Sequence, residues 1–193
     1  METIIKAETD LYGVAKYAGQ PMTKADFTGW ESDDNYLYEF NNGILEPGTG
    51  MKQNELGLLT RLEDKFFSTE AFHEGGRIRA EVDVWLTEQQ LRRPDVAYFS
   101  AAQLALIAIG EQAIPGFVVE FGSESDNEFK TITKRHEYFA AGVQVLWWVY
   151  PAYQEVFVYT SPKTVSICTD TDVLSAAPVL PDLQLTVAEL FRR

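Results

Sequence analysis

Two carboxylates stand where a folded chain has little use for charge. Asp95 opens Pro94-Asp95-Val96-Ala97-Tyr98-Phe99, and Glu120 lies inside Phe117-Val118-Val119-Glu120-Phe121; both runs read as strands. A near-continuous apolar stretch such as FVVEF belongs to a strand covered on both faces. Burying a carboxylate there is costly unless it is paired, hydrogen-bonded or bound to a cation. Two such acids on neighbouring strands point to one shared site. A hard cation such as Mg²⁺ uses one or two carboxylates together with waters and substrate phosphate oxygens. A lysine near that ion stabilises developing charge and helps to position or deprotonate an attacking water. Lys134, on the helix directly after the Glu120 strand, is the leading candidate. Each residue also has an ordinary reading: Asp95 as a strand-start residue bonding a turn, Lys134 as a solvated helix lysine.

The elements that must position these groups are legible from periodicity and turn chemistry. Thr23-Lys24-Ala25-Asp26-Phe27 carries a capping threonine with an acid three positions on, the sign of a short helix. YLYEF and ILEP flank Asn41-Asn42-Gly43, which predicts a hairpin with Glu39 on its first strand. From Lys52 to about Ser68, the spacing of Leu56, Leu59, Leu62 and Phe66 predicts a helix with that stripe inward. IRAEVDVWL over 78–86 alternates as one half-buried strand, and PDVAYF over 94–99 follows after a polar turn. Ser100 caps a helix over roughly 101–109. A helix over 128–141 closes at Gly142, and VQVLWWVY and QEVFVY then form a hairpin around Pro151-Ala152-Tyr153. A short strand at TVSIC and a small helix over TVAELF end the chain. Together these predict an α/β fold, a mixed sheet flanked by helices, in a single domain spanning 1–193 with an N-terminal helix and hairpin.

Composition narrows the chemistry. No apolar run approaches the roughly 20 residues of a membrane-spanning helix, and METIIKAETD lacks the apolar core of a secretory signal, so a cytoplasmic protein is expected. Cys168 stands alone, which leaves oxygen or imidazole as metal ligands; it reads as a small core residue. A balance of 16 Lys+Arg against 29 Asp+Glu, −13 overall, argues against a polyanionic partner unless basic residues gather locally. Arg77, Arg79, Arg92 and Arg93 are close enough in sequence to form such a face. His73 and His136 read as surface residues, and Trp147 and Trp148 as core and interface material rather than a base-stacking platform. Gly-x-Ser-x-Gly, phosphate-loop and dinucleotide fingerprints are absent.

In order and spacing, Arg93-Pro94-Asp95-Val96, Pro115-Gly116-Phe117-Val118-Val119-Glu120-Phe121-Gly122-Ser123-Glu124-Ser125, Lys134-x-x-x-Tyr138, Ala141-Gly142-Val143 and Trp148-Val149-Tyr150-Pro151 form a pattern. It resembles the Uma-type family of restriction endonucleases in the PD-(D/E)XK nuclease superfamily. Tyr38-Glu39-Phe40-x-x-Gly43-Ile44-Leu45 is similar to that family's hairpin, and LQLTVAELF to its closing segment, so the likeness spans nearly the whole chain. The resemblance implies a restriction-endonuclease-like core in which Asp95 and Glu120 bind metal and Lys134 is the catalytic lysine, moved from its usual strand position onto the following helix. Gly122 occupies that usual position. Glu39 is implied as a supporting acid, although it equally suits a cross-strand partner in its hairpin. Backbone carbonyl oxygen near Phe121 is expected to complete the coordination. Ser123-Glu124-Ser125-Asp126 reads first as a polar loop before the helix, with Ser123 close enough to Glu120 to line the site. Two positions depart from the pattern: Asn54, where relatives often have histidine, and Lys130, where an acid often precedes the helical lysine.

The expectation is a Mg²⁺- or Mn²⁺-dependent endonuclease acting on DNA. Its rival keeps the fold without the catalysis, as a module binding nucleic acid or a protein partner. A homodimer is expected if the aromatic strands 144–150 and 153–159 leave an apolar edge.

Overall fold

The computed structural model describes residues 15–48, 50–123 and 126–192. METIIKAETD and the loop residues Glu124 and Ser125 lie outside the described residues. Thr23 caps α1 (Lys24–Phe27) by accepting from the Asp26 amide, and Phe27 turns inward. β1 (Leu37–Asn41) and β2 (Ile44–Gly48) pair antiparallel around Asn42 and Gly43, whose φ of 50° and 84° is the left-handed pair that a two-residue hairpin turn requires.

α2 (Gln53–Phe66) corrects the expected stripe. Its buried line is Glu55, Leu58, Leu62 and Phe66, while Leu56 is 50% exposed. The inward line starts one residue before Leu56, so an acid and not a leucine heads it. After α3 (Glu70–His73), the run read as one strand is two, β3 (Arg77–Ala80) and β4 (Val84–Thr87), in different sheets. Glu81 sits between them at φ 51°, a bend that period-two alternation runs straight through. The polar turn after β4 is largely a strand, β5 (Gln90–Arg92), which pairs with both β1 and β4. The first sheet is therefore β2-β1-β5-β4.

β6 (Val96–Phe99) leads into α4 (Ala101–Ala108), where Ser100 and Gln103 form a reciprocal capping box. β7 (Phe117–Phe121), α5 (Glu128–Ala141) and β8 (Val145–Tyr150) make a crossover that sets β7 and β8 parallel, with Gly142 at φ 115° ending the helix. β9 (Glu155–Ser161) and β10 (Thr164–Cys168) complete a six-stranded sheet in the order β10-β9-β8-β7-β6-β3. β11 (Val173–Ala176) and β12 (Leu180–Thr186) pair as a third, two-stranded sheet that was not anticipated, before α6 (Val187–Leu190). The expected mixed sheet with flanking helices is present, accompanied by two smaller sheets.

Alternation along the six-stranded sheet divides the core. Odd positions of β7 and β8, such as Phe117, Val119 and Trp147, pack with Leu58, Leu62 and Phe66 of α2 and with Leu183 and Leu190. Even positions, Val118, Leu146 and Trp148, pack with Tyr138 of α5 and Val84 of β4. Trp147 and Trp148 are both buried, as expected, and Cys168 is in the core. β8 and β9 are interior strands, with β10 against the outer side of β9, so the apolar edge anticipated at 144–159 does not form. Among the described residues no helix is long and apolar enough to cross a membrane.

Candidate active site

The site begins with a strand register. β6 and β7 run antiparallel with Val96 opposite Val119, so Asp95 and Glu120, one residue further out on each strand, face each other at the sheet end. Asp95 Oδ2 accepts the Phe121 amide proton at 2.6 Å. Glu120 shares the parity of Val118 and points to the face that α5 covers. Lys134 and Tyr138 are four residues apart, one above the other on α5, and both reach it. Lys134 Nζ lies 3.0 and 3.1 Å from the two Glu120 oxygens and 3.2 Å from Glu39 Oε1. Tyr138 donates its hydroxyl proton to Glu120 Oε1 at 2.5 Å. The four candidate side chains thus converge: Glu39 from β1, Asp95 from the residue before β6, Glu120 from β7 and Lys134 from α5.

Electrostatics assigns different states to these groups. Burial, reinforced by the facing Glu120, pushes the Asp95 carboxyl up to about 8, against the pull of the Phe121 amide and Lys134. Glu120 is also raised, by burial and by repulsion from Glu39, although Lys134 and Tyr138 favour its anion. For Glu39 burial acts upward as well, but the charges of Lys134 and Arg92 prevail and hold it below the usual carboxylate range. Burial opposes the Lys134 ammonium, yet Glu120, Glu39 and Asp95 together raise it above an ordinary lysine. Lys134 is therefore a charged donor rather than a base. Tyr138, buried beside Glu120, titrates well above a free tyrosine and stays a donor.

Several participants were not anticipated. Arg92, grouped above with a basic surface, is 3% exposed and binds three acids: Glu39 at 2.8 Å, Glu46 at 2.6 Å and Glu137 at 2.7 Å. Arg93 gives its amide to Glu39 and its guanidinium to Asp83, and Arg77 donates to the carbonyls of Phe72 and Gly76. Internal ion pairs thus take Arg92 and Arg93 out of the expected basic face, while Arg77 bonds only backbone carbonyls and Arg79 is exposed. Glu137, three residues after Lys134 on the same helix flank, also accepts from Gln90 at 3.0 Å, tying α5 to β5. Glu55 accepts the Lys52 amide at 2.7 Å and adds to the repulsion on Asp95. Helical spacing from Lys134 was the one available signal for Glu137, whereas Tyr138 already stood in the Lys134-x-x-x-Tyr138 pattern.

The remaining candidates resolve plainly. Phe121 engages the site through its amide. At Gly122 a Cβ would stand 2.5 Å from the Tyr150 ring and 3.1 Å from Trp148 Nε1, so a lysine on the strand has no room. Ser123 takes part in the loop, its amide and hydroxyl both directed at Asp126. Asn54, Lys130, His73 and His136 are exposed and outside this cluster. Among the described residues no three His, Cys, Asp or Glu side chains are arranged to hold a metal together, so any ion would rely on the two facing carboxyls and backbone oxygen.

A family model described as "putative restriction endonuclease", Uma2, matches residues 25–188. The chain belongs to the Uma2 family. The Uma2 match takes in the whole cluster, from Glu39 to Tyr138. The crystal structure of a protein from Anabaena variabilis, titled a putative nuclease, aligns with a TM-score of 0.75 over 89% of this chain and 98% of that one. At 18% identity the likeness is one of fold. No curated protein matches the Uma2 chain.

Proposed function

We propose that this Uma2 chain is a Mg²⁺- or Mn²⁺-dependent endonuclease that hydrolyses phosphodiester bonds in DNA, working in the cytoplasm as one unit over residues 1–193. The observation that carries the reading is the pair of facing carboxyls at the sheet end, with Asp95 pushed up to about 8 by burial and by the facing Glu120. A hard divalent cation fits that donor set, since it needs few carboxylates and favours the anion of both. Asp95, Glu120 and the Phe121 carbonyl are the groups that would hold it. When bound, such an ion supplies Lewis-acid stabilisation of phosphate charge and acidifies water.

The chain's own groups divide the remaining work. Lys134 keeps its proton and so offers donors to a phosphate oxygen or to an attacking water. Glu39, itself fixed by Arg92 and the Arg93 amide, holds Lys134 in position from one side, and Glu120 holds it from the other. Tyr138 fixes the Glu120 carboxylate in turn.

A second reading, a catalytically silent module, has its own observation: Lys134 and Tyr138 already engage both Glu120 oxygens, and the chain carries −13. The test is cleavage of supercoiled plasmid and single-stranded DNA with Mg²⁺ or Mn²⁺, using wild type beside Asp95→Ala and Lys134→Ala. Nicking by wild type that both substitutions abolish supports the endonuclease. Equal inactivity of all three, with no thermal stabilisation of wild type by Mn²⁺, supports the silent module.

A further inference from the structure

We propose that Lys52 and Lys130 grip the DNA backbone on either side of the scissile phosphate, one from each face of the six-stranded sheet; this rests on the endonuclease reading above. α2 and α5 cover opposite faces of that sheet, and both helices begin at the end where Asp95 and Glu120 face each other. For α5 the placement follows from Lys134, which reaches Glu120 and Glu39, and from the far end of the helix, where Gln144 bonds Gly116 at the start of β7. Lys130 is four residues before Lys134, on the same side of the helix and about 6 Å further out along its axis. For α2 the placement follows from a relay of contacts. The Asp95 carbonyl accepts from the Glu81 amide at 3.2 Å, and the Glu81 carboxylate accepts from the Met51 amide at 2.7 Å. Lys52 is the next residue, its amide held at 2.7 Å by Glu55, the acid whose charge reaches Asp95.

The charge of these two lysines is unused within the fold. Both are exposed, and neither ammonium meets a carboxylate among the described residues. Other cations around the carboxyl pair are committed inward. Arg92 binds three acids, Arg93 binds Asp83, Lys134 sits between Glu120 and Glu39, and Arg79 turns back to the Ile78 carbonyl. A chain carrying −13 repels DNA as a whole, so a phosphate brought to Asp95 and Glu120 needs cations that flank the pair without being neutralised by it. Lysines on flexible stems at the rim meet that need: each binds a phosphate by releasing a counterion and stays hydrated, with no buried charge to desolvate.

Two experiments test this, each on wild type, Lys52→Gln, Lys130→Gln and a control, Lys163→Gln, whose exposed lysine lies in the β9–β10 turn at the opposite end of the sheet. The first follows binding of a fluorescent duplex oligonucleotide by anisotropy, with Ca²⁺ fixed in place of Mg²⁺ and NaCl varied. Each rim substitution should reduce the slope of log K against log salt by about 0.9 and weaken binding roughly five- to tenfold at 0.1 M salt, the contribution of one phosphate contact, while Lys163→Gln follows wild type. The second is plasmid cleavage with Mg²⁺, in which the rim variants should raise KM and leave kcat within about twofold. Wild-type slopes in both rim variants, or an equal loss in Lys163→Gln, overturn the inference, as does a fall in kcat at unchanged KM. Wild type that binds DNA but cuts none overturns the endonuclease reading alone, and the slopes still decide the grip. Wild type that neither binds nor cuts duplex or single-stranded DNA overturns both.

Discussion

Asp95→Asn should make the metal-free protein more stable, and increasingly so as pH rises. Asparagine preserves the outline of the side chain and still offers an oxygen to the Phe121 amide, which now bonds Asp95 Oδ2 at 2.6 Å. What it removes is the proton equilibrium. An unfolded aspartate titrates near about 4, whereas burial and Glu120 push Asp95 up to about 8 in the folded chain. Between those values the folded state binds more protons than the unfolded state, so wild-type stability falls as pH rises from about 4 to about 8 and levels off beyond. One proton sets a ceiling of about 1.4 kcal/mol per pH unit, or some 5–6 kcal/mol over the whole window. Water entering around the charged carboxyl recovers part of this, and about 2–3 kcal/mol in favour of Asp95→Asn at the alkaline end is the expected difference. Urea denaturation of both proteins in EDTA, across roughly pH 5 to pH 9, measures it. Adding Mn²⁺ should stabilise wild type and not the variant, narrowing the gap. Parallel stability profiles for the two proteins, or a wild type that gains on the variant with rising pH, would refute the reasoning. Burial and Glu120 would then not be raising Asp95, and the proposed metal site would lose its main support.

Arg92→Met should cost about 3–5 kcal/mol, because it strands Glu39, Glu46 and Glu137 without their shared cation; an unchanged urea midpoint would contradict that. Gly122→Lys should lower stability by roughly 1–3 kcal/mol through the clash with Tyr150, and should fail to rescue cleavage by Lys134→Ala. Recovery of activity in that double variant would show that the strand position has room after all. Glu39→Gln removes an anion that raises Lys134, so the alkaline limb of the cleavage profile should move to lower pH, and an unmoved limb would separate Glu39 from Lys134. If two copies pair through the β10 edge, where Val165 and Ile167 are 44% and 56% exposed, light scattering should show Val165→Lys/Ile167→Lys reverting to a single-chain mass.

What was legible in the sequence was local. Asn42-Gly43 needs left-handed backbone and announces its hairpin, and Gly142 ends α5 by the same chemistry. FVVEF reads as a doubly covered strand because its neighbours on both faces are apolar, and that reading alone makes Glu120 conspicuous. The misses depend on contacts far apart in the chain. Arg92 ends a strand of three residues and is indistinguishable from surface arginine until β1, β2 and α5 bring Glu39, Glu46 and Glu137 around it. The break at Glu81 is invisible because apolar and polar residues keep alternating across it, although the two halves belong to different sheets.

The helical lysine follows from the same packing. A lysine at position 122, just after β7, would project into Tyr150 and Trp148, and these large side chains fill the sheet face between the β7 end and the rest of the core. A lysine on α5 approaches Glu120 from above that face instead, and its helix is already fixed there by Tyr138 on Glu120 and by Glu137 on Arg92. The cost of holding an ammonium ion in so confined a place is offset by Glu120 and Glu39, which receive it from two sides. Glu39 is thereby more than a cross-strand partner in its hairpin. It joins the four-stranded sheet to the charge balance of the site, so a change confined to the β1–β2 hairpin should be felt first in the protonation of Lys134 and only then in global stability.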